Sequence, residues 1–173
     1  KRQTLYGLFN NPFLKIYSGI QWFLSRKGLL AHSHLELGGF VKSNTRFAHP
    51  NIQFHFFPAL VINHGLTNPD RHGFQFHASP NRPTSRGWIK LRSNVPEEDP
   101  IIQFNYLETE EDRLQMRDCV SIARNIFSQK SFQQYVGKEL RPAKNVQDND
   151  VLDEIIRNTS DTAYHPSCSN KMG

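Results

Sequence analysis

The sequence predicts an α+β fold: a mostly antiparallel sheet with helices packed on one face. Three observations lead there. Two short segments, 52–57 and 73–79, alternate phenylalanine with Gln or His at the two-residue period of a strand. Three longer segments, 12–26, 109–129 and 148–158, repeat apolar residues at helical spacing. The order is helix, strands, helices, not the strand–helix alternation of a parallel sheet.

The first helix, PFLKIYSGIQWFLSR, has Asn11 to cap it and Pro12 at its first position. Phe13, Ile16, Ile20, Phe23 and Leu24 recur along it, and Gly28 is the expected stop. HLELGGFVKS then reads as a short extended segment whose paired glycines permit close backbone approach. In 52–57 the side chains of Ile52, Phe54 and Phe56 share one face, and Gln53, His55 and Phe57 the other. In 73–79 Phe74, Phe76 and Ala78 oppose Gln75, His77 and Ser79. One sheet face is therefore a phenylalanine core; the other is polar, either solvated or part of a site. The loop SPNRPTSRG leads to strands at 88–92 and 101–104. In the helix over 109–129, Thr109 with Asp112 forms a variant capping box, and Met116, Cys119, Val120, Ala123, Ile126 and Phe127 mark the buried stripe. The last helix is capped by Asp148 and buried through Val151, Leu152, Ile155 and Ile156.

At 173 residues the chain has the size of one domain, which buries roughly 70% of its unfolded surface when compact. Net charge is +5. The cations come as scattered pairs such as Lys1-Arg2 and Arg26-Lys27 and read as solvated surface, and none interleaves with the strand aromatics, so nucleic acid is not expected as a partner. Two cysteines make no secreted disulfide framework. His32 and His34 lack a carboxylate or thiol at ligand spacing, and His165 with Cys168 is too isolated for zinc, so no metal is expected. There is no G-x-S-x-G, P-loop or G-x-G-x-x-G motif. The chain starts without Met or a signal pattern and stops inside YHPSCSNKMG. That ending is either a terminal tail or half of a site whose other half lies elsewhere. Before Pro166, His165 has an extended backbone that limits where its imidazole can point.

Longer stretches carry a resemblance. SRGWIKLRSNVPEEDPIIQFNYL (85–107) and AYHPSCSNKMG (163–173) are similar to the C-terminal signatures of the glucose–methanol–choline (GMC) oxidoreductase family. HLELGGFVKS, HPNIQFHFFPALVINHG, HGFQFHASP and GKEL resemble its choline-oxidising members, in family order along the whole chain.

The resemblance implies that residues 1–173 are a substrate-binding domain fragment, with 85–173 its C-terminal signature region. It implies FAD as cofactor, choline or a similar small alcohol as substrate, and a quinone-type electron acceptor. His165 would sit by the flavin, with Pro166, and handle the alcohol proton. Tyr164 would offer an aromatic face to a quaternary ammonium, and His55 would be a further active-site histidine. Glu36 is a candidate cation anchor, although Gly38-Gly39 beside it suit a structural turn. The family's nucleotide-binding segment is missing, and Asn170 stands where choline-oxidising members commonly carry Cys. The isolated chain is therefore expected to be inactive. Another primary alcohol, or a non-catalytic binding module, are the alternatives. The family places the intact enzyme at the mitochondrial inner membrane in eukaryotes, or membrane-associated in bacteria.

Overall fold

The computed structural model describes residues 4–33, 35, 37–142, 146–165, 167, 168 and 172. The helices are α1 (Tyr6–Asn10), α2 (Pro12–Ser25), α3 (Glu110–Ser128) and α4 (Asn149–Thr159). The strands are β1 (Leu37–Val41), β2 (Ile52–Phe57), β3 (Gln75–Pro80), β4 (Trp88–Lys90) and β5 (Ile101–Gln103). Strands β1, β2 and β3 form one antiparallel sheet in that order, and β4 pairs with β5 in a separate hairpin. The α+β expectation holds, with the strands divided between two sheets.

The phenylalanine face is the one that receives a helix. Phe54 stacks on Phe76 at 4.8 Å between ring centroids, and Phe127 of α3 meets Phe74 and Phe76 at 5.1 and 5.3 Å. Such offset and edge-on pairs add to the burial of the rings. The paired glycines let β1 come close to β2. A Cβ on Gly38 would stand 2.9 Å from the Phe54 carbonyl oxygen, and one on Gly39 would stand 2.6 Å from the Phe54 ring.

Helix α3 starts as expected, with the Thr109 hydroxyl accepting from the Asp112 N–H at 3.3 Å. Its buried stripe is the expected one only in part. Asp112, Gln115 and Cys119 are buried, while Met116, Val120, Ala123, Ile126 and Phe127 are half-buried. Two polar residues can occupy the innermost line because loops satisfy them. The Asp112 carboxylate accepts from Thr84 N (2.7 Å), Ser85 N (2.9 Å) and the Thr84 hydroxyl (3.0 Å). Gln115 accepts from the Asn51 amide at 2.8 Å. Burial, chiefly, pushes the Cys119 thiol up to about 12, so it packs as a small apolar group and not as a nucleophile. In α4, Leu152 and Ile156 are buried, whereas Val151, also expected on the buried side, is exposed. Arg117 of α3 forks onto Asp153 of α4, with Nε 2.6 Å from Oδ1.

Asn11 caps α2 by accepting from Phe13 N and Leu14 N at 3.0 and 3.2 Å. The helix ends before Gly28: Arg26 takes the left-handed conformation (φ 55°) and donates its N–H to Trp22. The apolar periodicity is real, but it faces outward. Ser18 is 1% exposed, whereas Phe13 is 80% and Leu24 77% exposed.

Candidate active site

The polar face of the three-stranded sheet is built on one cross-strand row, in which Gly38, His55 and His77 are direct neighbours. Gln75, two residues before His77 on the same face, fixes the row's chemistry. Its amide oxygen accepts from Val61 N and its amide nitrogen donates to Val61 O, both at 3.0 Å. With the amide so oriented, the 3.1 Å contact between Gln75 Oε1 and His77 Nε2 requires that His77 donate there. A neutral His77 then carries a bare Nδ1. Burial, with His55 as the lesser cause, holds the His77 pKa below its ordinary value, which favours that neutral form although part of the ring reaches solvent. Phe57 packs on the same ring at 4.6 Å.

A second group forms where the C-terminal segment meets the loop between β2 and β3. The Tyr164 hydroxyl lies 2.7 Å from His64 Nδ1, and His64 Nε2 lies 3.0 Å from an Asp161 carboxylate oxygen. A carboxylate only accepts, so His64 donates from Nε2 to Asp161. In the neutral form, His64 with its proton on Nε2 has Nδ1 free to accept a hydrogen bond from the Tyr164 hydroxyl. Tyr164 and His64 are both held at positive φ, 60° and 55°, in a region that non-glycine residues seldom occupy. Thr162 also binds the Tyr164 N–H at 3.0 Å. The phenol is thus aimed by backbone and side chain together.

Of the residues singled out in the sequence, Tyr164 enters this group directly. His165 follows it with an exposed side chain. His55 lies on the polar sheet face, paired with His77, and no hydrogen bond among the described residues joins it to Tyr164. Glu36, Pro166 and Asn170 lie outside the described residues. His64 and Asp161 are not marked by any motif or spacing in the sequence. His64 sits in an irregular loop and Asp161 beyond the last helix, so neither belongs to a periodic pattern. The one available signal was the Asn63-His64-Gly65 turn.

FAD is the cofactor that the family resemblance calls for. Among the described residues, the exposed His165 imidazole and the Tyr164 phenol, hydrogen-bonded to His64, are polar groups of the kind that could meet a substrate. They do not fit a dinucleotide pyrophosphate, for which the sequence has no glycine-rich turn.

Residues 83–173 match the family described as GMC oxidoreductase. The chain is 44% identical over 162 residues to the human protein named choline dehydrogenase, mitochondrial, covering 94% of this chain and 27% of that one. It is also 44% identical over 161 residues to the oxygen-dependent choline dehydrogenase of Vibrio vulnificus, covering 93% and 29%. It therefore spans under a third of the length of these relatives. Among solved structures, the pyridoxine 4-oxidase of Mesorbium loti shares the fold, with a TM-score of 0.62 at 21% identity, over 71% of this chain and 25% of that one.

Proposed function

The chain belongs to the GMC oxidoreductase family, and from that premise we propose that it is the substrate-binding part of an FAD-dependent choline dehydrogenase. Residues 1–173 form the domain fragment, and 85–173 its C-terminal signature region. The reaction is oxidation of choline to betaine aldehyde. FAD, when bound, supplies the hydride acceptor.

His165 takes the hydroxyl proton of the alcohol, a task suited to an imidazole whose ordinary pKa is near neutrality. Pro166 restricts the backbone that presents it. Tyr164 offers its ring face to the trimethylammonium group, which cannot donate a conventional hydrogen bond. His64, by its hydrogen bond to the Tyr164 hydroxyl, keeps that ring turned to one side. His55 lines the polar sheet face beneath the substrate, and Glu36 is the carboxylate that balances the cation. Electrons then pass to a quinone-type acceptor, and the intact enzyme resides at the mitochondrial inner membrane in a eukaryote or is membrane-associated in a bacterium. The human relative's name supports the mitochondrial assignment. The Vibrio relative's name instead mentions oxygen, so anaerobic turnover with a soluble quinone is the check on the acceptor.

The observation that carries the reading is the Asp161–His64–Tyr164 hydrogen-bonded chain, which orients the residue immediately before His165. Rapid-mixing measurement of flavin reduction in the full-length protein tests it. His165→Ala should slow reduction by about 10²- to 10⁴-fold. The uncharged analogue with carbon in place of the quaternary nitrogen should react with kcat/KM about 10-fold lower than choline, from loss of the cation contact. An unaltered reduction rate in the variant rejects the role of His165, and equal kcat/KM for the two alcohols rejects choline.

A further inference from the structure

The Tyr164 phenol closes a circuit of hydrogen bonds between two distant segments of the chain. Asp161 accepts the Thr162 N–H at Oδ1 (2.7 Å), and the Thr162 hydroxyl accepts the Tyr164 N–H at 3.0 Å. The Tyr164 hydroxyl meets His64 Nδ1 at 2.7 Å, and His64 Nε2 returns to Asp161 Oδ2 at 3.0 Å. Both oxygens of one carboxylate are committed to the same small circuit.

What each group can do fixes the direction of these bonds. A carboxylate only accepts, so His64 donates from Nε2 to Asp161, and in its neutral form it accepts from the phenol at Nδ1. Both bonds are polarised toward Asp161. Bonds aligned in this way strengthen one another, by roughly 10–30% each. No proton leaves the phenol, but its oxygen and the ring behind it become more electron-rich.

The same bond decides what the ring has left to offer. The hydroxyl proton is spent on His64, so it is not available to a substrate. His64 approaches edge-on, with ring planes at 67° and centroids 6.0 Å apart, and Tyr164 is 67% exposed. An open, electron-rich face without a donor suits a cation that has no N–H of its own. The charge behind it has no competitor in these segments. Asp161 is the only Asp or Glu in residues 155–173, and the one acid between β2 and β3, Asp70, is paired with Arg71 at 2.6 Å.

We propose that Asp161 sets a preference for cationic over uncharged alcohols by polarising the Tyr164 ring through His64. Asp161 acts at a distance, as a positioned charge, and touches no substrate atom. The inference rests on the reading that Tyr164 meets the trimethylammonium group, and it adds where the strength of that contact originates.

A double-mutant cycle in the full-length protein tests it, read as kcat/KM for choline divided by kcat/KM for the uncharged carbon analogue. A change that merely disturbs the site slows both alcohols and cancels in this ratio. Asp161→Asn removes the charge but leaves an amide oxygen able to accept from His64, and should lower the ratio about 3-fold. His64→Ala cuts the chain and should lower it by a similar factor. The two changes together should do no more than either alone. An unaltered ratio in Asp161→Asn overturns the proposal. So do fully multiplicative effects, which would mean that the carboxylate acts on the cation directly through space. Tyr164→Leu separates the two levels of the reading. If it removes the preference while Asp161→Asn does not, only the polarisation is rejected. If it leaves the preference intact, Tyr164 does not meet the cation and both are rejected.

Discussion

Asp112 shows how a single carboxylate can fasten two parts of the chain. It is 2% exposed, and its oxygens take the backbone N–H groups of Thr84 and Ser85 at the start of the S-R-G segment. Burial pushes its pKa up, but the hydrogen bonds from Ser85 and Thr84 together outweigh that and hold it below the ordinary carboxylate value. A carboxylate with a depressed folded pKa stabilises the fold above the unfolded value of about 3.9, and that contribution is lost as pH falls through the folded value. Asp112→Asn turns an amide NH2 toward groups that are themselves donors. It should cost about 2–3 kcal/mol of stability in the full-length protein at neutral pH. The gap between parent and variant in urea unfolding should close below about pH 4, and a pH-independent gap would contradict this account. The sequence shows Thr109 and Asp112 at cap spacing, but not that the Asp112 side chain is spent on a loop 27 residues earlier. The site divides in the same way. Tyr164 and His165 are legible in the YHP motif, whereas His64 is recognisable only once the fold brings Tyr164 to it from 100 residues away.

At the level of elements, structure is legible in the sequence wherever a side chain bonds its own helix or alternates along its own strand. The Asn11, Thr109 and Asp148 caps and the Phe alternation of β2 and β3 are of that kind. Which face an element buries depends on its neighbours, and there periodicity gave only half the answer. The apolar arc of α2 turns outward, and α3 buries Asp112 and Gln115 because partners on distant loops satisfy them. The β4–β5 hairpin is a further case, since Trp88, Ile89, Ile101 and Ile102 are all exposed on it. Its geometry depends on Gly87. A Cβ there would stand 2.1 Å from the Gln103 carbonyl oxygen and 2.7 Å from that of Phe104, both backbone atoms that cannot rotate away. Gly87→Ala should therefore force the strands apart and destabilise the full-length protein by on the order of 3 kcal/mol. Denaturant midpoints read this directly, and a loss below about 0.5 kcal/mol would show that the hairpin tolerates a methyl group.

For the whole molecule the informative quantity is surface. The chain has 13356 Å² of accessible surface, whereas a compact monomer of 20.1 kDa has about 8,700 Å². The excess is about half of the compact value, more than one partner usually buries in an obligate interface. The exposed apolar groups fall into two sets distinguished by charge. Those of α2 lie within the cationic first 35 residues, while those of the β4–β5 hairpin lie in the balanced remainder. The chain spans under a third of the length of its relatives, and polypeptide packed on both sets would remove them from water. On this reading the 173-residue chain cannot by itself bury enough apolar area to fold cooperatively. Expressed alone, it should bind a hydrophobic dye strongly, unfold over a broad range of urea and purify without flavin, whereas the full-length protein should unfold sharply and carry bound flavin. A single steep transition for the isolated chain, with little dye binding, would show that its surface is self-sufficient, and the hairpin would then need no covering.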